Sequence, residues 1–292
     1  MTTPQVLLLL ITTALFTVMV SLGLSLEPAE LLALRHRPWL ILRVLMGSCL
    51  LLPLLALALL TLVPAGVISP AGRLAIALMA LCPSAPLTLR RSGLNGGDPE
   101  LTAVLQVGAA VLAILTLPLL VDLYLQQLAI SGWDVRPVLV AKQIARAQLL
   151  PLALGMLVRS LAPLPAQRLR PAMGRLAGLL QLLVVLLVLA IALPGLVPFL
   201  AANLTTALAM ALMTLAALVL GLLLAGPGPR EATTGALVTS RRNPGLALLL
   251  AATFSADLPG LKLAILSYVV ITVLVSIPFL RWRHAEHGRR EI

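Results

Sequence analysis

Apolar runs of about twenty residues or more recur along the chain, at 4–24, 39–63, 72–94, 100–127, 137–161, 172–199, 203–225, 232–254 and 259–282. A run of that length crosses the ~30 Å hydrocarbon layer as a helix. The cuts between runs fall on turn chemistry and charge: Glu27 to Pro38, Pro64 to Gly72, Gly93 to Pro99, Ser131 to Pro137, Ala162 to Pro171, Gly226 to Arg230, and Asp257 to Gly260. The pattern predicts an all-α polytopic membrane protein of about nine transmembrane helices. Composition agrees, because only 11% of residues are charged, against ~25% in a soluble domain.

The charges that remain are lopsided, with 21 Lys and Arg against 10 acids and a net charge of +11. In a soluble protein that balance would suggest nucleic acid. Here the basic residues sit in short clusters between apolar runs, where they orient the helices. With the N-terminus outside, the inner side collects Arg35, Arg37, Arg90, Arg91, Arg159, Arg168, Arg170, Arg175, Arg230, Arg281, Arg283, Arg289 and Arg290. The outer side keeps only Arg73, Arg136 and Lys262. The expected topology is therefore N-out and C-in, in a cytoplasmic (inner or plasma) membrane. "MTTPQ" lacks the basic start of a secretory signal, so 4–24 is expected to stay as a first helix. Cys49 and Cys82 lie within apolar runs, where neither a disulfide nor a metal site is expected.

Two segments carry helix breakers where lipid should be. The third, "RLAIALMALCPSAPLTLRRSGLNGGD", has Pro83 and Pro86 near its middle, and the eighth holds "TSRRNPG" with Arg241, Arg242, Asn243 and Pro244. A buried charge in a membrane costs at least ~2.5–3.5 kcal/mol, and proline removes a backbone donor. Interrupted helices in comparable places of two halves point to an inverted-repeat secondary transporter.

These motifs, in this order, resemble the bile acid:sodium symporter family, within the wider bile/arsenite/riboflavin transporter superfamily. "TVMVSLGLSLEPAELLALRHRPWLILRVLMGSCLLLPLLAL" resembles the family's first region, "LCPSAPLTLRRSGLNGGDPELTAVL" its first crossing motif, and "NPGLALLLAATF" its second. The resemblance implies two repeats, 1–128 with four helices and 129–292 with five. It also implies a core domain from 39–127 and 203–282, and a panel from 4–24 and 137–199. The broken helices would cross beside a midplane substrate cavity. Family sodium ligands fall at Ser48, Thr88, Thr102, Gln106 and Thr239, which keep oxygens, but also at Leu89 and Val238, which offer none. Arg242 takes the place of a glutamine, and Asn243 alone matches in the second motif. Loss of the carboxylate and arrival of two cations imply degenerate sodium sites, so no cofactor or coupling sodium is expected.

Three readings of Arg241 and Arg242 compete. They could clasp an anionic substrate as bidentate donors, next to the positive N-terminus of the following half-helix. They could stand in for lost sodium ions by bonding the carbonyls of the crossing. Or they could snorkel to the headgroups. Candidate substrate-binding residues are thus Arg241, Arg242, Asn243, Thr88 and Gln106. Elsewhere, Asp122 is placed to pair with Lys142 or Arg146. His36, His284 and His287 are confined to basic tails and loops, and "GLNGGD" lacks the Lys and Ser/Thr of a P-loop. Neither an enzyme nor an ATP-driven pump is expected. The expected function is a secondary carrier of a small organic or inorganic anion, with lipid and substrate as partners and monomer or homodimer left open. The alternatives are a sodium-dependent symporter with a rebuilt site and a non-transporting sensor or assembly protein.

Overall fold

The computed structural model of the chain describes residues 3–26, 37–85, 88–128, 137–254 and 258–290. Helix α1 is Thr3–Ser25, α2 is Pro38–Leu62, and α3 (Pro70–Leu81) and α4 (Thr88–Leu94) flank the first break. Then come α5 (Pro99–Gln127) and α6, which runs from Pro137–Ile144 through Ala145–Leu149 into Leu150–Leu161. They are followed by α7 (Pro163–Ala202), α8 (Leu204–Ala225), α9 (Pro229–Ser240) and α10 (Pro244–Phe254) around the second break, and α11 (Leu261–Arg290). Among the described residues there is no strand beyond isolated bridges, and seven helices are long and apolar enough to cross a membrane.

Two helices widen into π-turns, at Gly47–Leu51 in α2 and Ala145–Leu149 in α6. In each, a proline follows closely, Pro53 and Pro151. A proline ring collides with the carbonyl four residues earlier and cannot bond it. Those carbonyls belong to Cys49 and Ala147, the middle residues of the two wide turns, so the extra residue per turn moves them clear. Beside the first of these turns the Tyr124 hydroxyl donates to the Pro53 carbonyl at 2.6 Å and ties α5 to α2.

Helices α1, α6 and α7 form one packed group, and α2, α3, α5, α8, α9, α10 and α11 form most of the rest. Glycine sets the closest approaches in both. A Cβ on Gly23 of α1 would stand 2.3 Å from the Leu152 carbonyl oxygen, and one on Gly221 of α8 would stand 2.2 Å from that of Gly235 in α9. In lipid, where helices gain little from burying apolar faces, such backbone contact is a main source of cohesion.

Burial separates the elements by role. In α3 every residue from Leu74 to Leu81 is buried, and in α9 every residue from Ala232 to Ser240. By contrast α7 exposes a long aliphatic surface including Leu179, Leu182, Leu186 and Val197. The sequence ends a loop at Pro171, yet α7 begins at Pro163 and passes through it. Hydropathy stops where Arg168 and Arg170 begin; the hydrogen-bonded helix does not. Asp122 also differs from expectation, accepting from Gln126 at 2.8 Å within α5 and forming no ion pair with Lys142 or Arg146. Most of the turn from Glu27 to Pro38, the segment 129–136, Pro86 and Asp257 lie outside the described residues, as do the side chains of Leu89, Arg90, Arg91, His284, His287, Arg289 and Arg290.

Candidate functional site

Both breaks begin as helix C-termini that cannot continue. Cys82 turns extended after α3 and Pro83 follows; Arg241 turns extended after α9 and Pro244 opens α10. The two extended stretches then run antiparallel. Ala85 N–H donates to the Arg241 carbonyl at 2.8 Å, Asn243 N–H donates to the Pro83 carbonyl at 3.0 Å, and Ser84 and Arg242 form the bridge between them. Backbone groups freed at membrane depth must be satisfied inside the protein, and here each break satisfies the other.

Arg242 is only 3% exposed. Its Nε donates to the Met79 carbonyl at 3.2 Å and its Nη2 to the Ala80 carbonyl at 2.7 Å. Its Nη1 donates to Ser48 Oγ at 2.8 Å and to the Thr239 carbonyl at 3.5 Å. Met79 and Ala80 lie in the last turn of α3, and Thr239 in the last turn of α9. Carbonyls there have no intrahelical partner and carry the negative end of the helix dipole. The guanidinium thus sits where two helix C-termini meet. The thiols of Cys49 and Cys82 and the phenols of Tyr124 and Tyr268 are near it. Among the described residues no carboxylate pairs with it. Both cysteines are free and buried.

The other expected residues surround the same crossing. Asn243, 3% exposed, caps α10 by accepting from Leu246 N–H through Oδ1 at 3.1 Å. Thr88 is fully buried, its amide donating to the Ala85 carbonyl and its hydroxyl accepting from Ser84 at 3.3 Å. Gln106 reaches in from α5, and its Nε2 donates to the Ala85 carbonyl at 2.7 Å. Arg241 is half-buried. Thr102 belongs instead to a hydroxyl network with Ser92, which also holds Thr234 of α9. Among the described residues, Gln106 Oε1, Thr239 Oγ1, Ser240 Oγ and Asn243 Nδ2 are buried without a hydrogen-bond partner.

A cleft of about 290 Å³ opens beside the second break, between α1, α7, α10 and α11. Asn243, Pro244 and Gly245 form one wall, and aliphatic side chains such as Ile11, Val18, Val188 and Val269 form most of the rest. Gln181 of α7 is the other polar side chain lining it, and its Oε1 has no partner among the described residues. A second cleft of about 290 Å³ shares Ile11, Val188, Ala192, Leu248 and Leu266 with the first and ends at Lys262. This cleft and the π-turns escaped the sequence reading. The signals were Gln181, alone in the long apolar run of α7, and the prolines that follow the two turns.

The profile described as the sodium bile acid symporter family matches residues 12–197, more than half of the chain. That stretch reaches from α1 into α7 and contains the first break but stops short of the second. No curated protein matches the chain.

Proposed function

Since the chain belongs to the sodium bile acid symporter family, we propose that this integral membrane protein is a secondary carrier of an organic anion. Its substrate site is the cleft between the α1–α6–α7 group and the crossing. The two groups correspond to a panel and a core, the broken pairs α3–α4 and α9–α10 complete nine membrane passages, and the halves are inverted repeats with the N-terminus outside. Alternating access then comes from movement of one group against the other. The observation that carries this reading is the position of Asn243 and Gly245. Asn243 ends a helix break and Gly245 lies in the first turn of the half-helix after it, yet both form the wall of a cleft whose opposite wall comes from the other packing group.

The chemistry of the cleft favours an organic over an inorganic anion. Its walls are aliphatic, and Arg242, which could have clasped sulfate or phosphate, is already bonded by Ser48, Met79, Ala80 and Thr239. The anionic head would meet the free Nδ2 of Asn243 and the N-terminus of α10, where helix amides favour negative charge. Arg241 adds positive charge nearby, and Thr88 and Gln106 hold the crossing in shape.

Thermal unfolding of the purified protein tests this, because a ligand that binds only the folded state raises its stability. Octanoate and taurocholate should raise Tm in a saturable way, sulfate and phosphate should not, and Asn243→Leu should abolish the shift. No shift from either organic anion, or an unchanged shift in Asn243→Leu, would refute the site. Binding without uptake in proteoliposomes would favour a non-transporting sensor.

A further inference from the structure

We infer that the Arg242 guanidinium is a resident cation, held where an exchangeable one would otherwise bind, and that the carrier therefore moves its substrate without coupling to sodium. The coupling step rests on the carrier reading above; the resident cation does not. Oxygens from three elements converge on one positive charge: the Ser48 hydroxyl of α2, the Met79 and Ala80 carbonyls of α3, and the Thr239 carbonyl of α9. Carbonyls at half-helix C-terminal ends are what a transporter offers to a monovalent metal ion. Here a side chain has taken them.

Sodium does not fit the residues that are left. Among the described residues, the oxygens without partners around the crossing, Gln106 Oε1 of α5 and Thr239 Oγ1 and Ser240 Oγ of α9, could be thought of as ligands. Yet among the described residues no carboxylate joins them. Asp98 caps α5, Glu100 and Asp122 are exposed, Glu231 pairs with Arg37, and Glu286 pairs with Arg283. A second cation ~5 Å from the guanidinium, at an effective dielectric of about 20, would lose on the order of 100-fold in occupancy to repulsion alone. Symport also requires the coupling ion to bind on one side and leave on the other. A guanidinium on its own backbone neutralises the two helix ends in every state and never leaves, so a sodium gradient has nothing to act on.

The test needs no knowledge of the substrate. Tm of the wild-type protein should be the same in sodium chloride and in choline chloride of equal ionic strength. Arg242→Ala, which empties the cage, should lose several degrees, and sodium or methylguanidinium should restore part of that loss saturably while choline does not. Arg242→Lys keeps the charge but loses the planar fork; it should melt between the two and ignore sodium. A saturable sodium response in wild type or in Arg242→Lys overturns the inference, as does an Arg242→Ala protein that no small cation stabilises. If Arg242→Ala does not fold, wild type and Arg242→Lys decide the question alone. Failure of the octanoate and taurocholate shifts would strike the carrier reading and leave the cage result standing.

Discussion

The two breaks in this protein are built from opposite chemistry. The first, Cys82 to Ala85, is neutral and mostly gives acceptors: Pro83 O to the Asn243 amide, and Ala85 O to Gln106 and Thr88. The helix before it adds the Met79 and Ala80 carbonyls. The second break, Arg241 to Asn243, gives donors, and one guanidinium supplies most of them. Two helix C-termini facing each other in a low-dielectric interior repel through their carbonyls. One cation placed on one side of the crossing bonds both ends. Charge at membrane depth is therefore tolerable here because the surroundings were already electronegative before the arginine is counted.

Given this asymmetry, changes at the second break should cost far more than changes at the first. The largest effect is expected for Arg242→Gln. It removes the charge and leaves several buried carbonyls without a donor, each at a cost of about 1–3 kcal/mol. Tm of the purified protein should fall by many degrees, whether or not octanoate is present. A variant that melts like wild type would mean that the helix ends do not need the cation.

The sequence made the breaks legible because they are written in side chains. Pro83, Pro244 and two adjacent arginines in an apolar run contradict a continuous helix on any reading of propensity. The lipid-spanning lengths of α1, α2, α5 and α8 were equally plain from hydropathy. The destination of Arg242 was not. Three of its four acceptors are backbone carbonyls, two of them about 160 positions earlier, and a carbonyl leaves no mark in the residue code. Ser48 was the one side-chain clue, and it entered as an oxygen for sodium. The adjacent arginines read alike in sequence, yet one is sealed in and the other half-buried. Only the antiparallel pairing of the breaks fixes which is which.

A smaller effect is expected at Ser48. Its hydroxyl is one of four acceptors on Arg242, and a hydrogen bond to a charged group contributes about 1.5–3 kcal/mol. Ser48→Ala should cost near the lower end, because the carbonyls remain. In combination with Arg242→Gln the two losses should add to less than their sum, since they share one interaction. Full additivity in that cycle would separate Ser48 from the cage.

The smallest effect belongs to the first break. Ser84 sits directly opposite Arg242 in the bridge, but its side chain makes only a 3.3 Å hydrogen bond to the Thr88 hydroxyl. The pairing of the two breaks runs through backbone atoms of Pro83, Ala85, Arg241 and Asn243, which a change at Ser84 leaves in place. Ser84→Ala removes both the donor and the polar surface that needed it, while the Thr88 amide keeps its bond to the Ala85 carbonyl. Its cost should be no more than about 0.5–1 kcal/mol, at the low end for a neutral hydrogen bond. Thermal melts of Ser84→Ala and Arg242→Gln side by side give the comparison its sharpest form. Equal losses would mean that the bridge is held by side chains on both strands, and that the guanidinium is one contributor among several to the crossing.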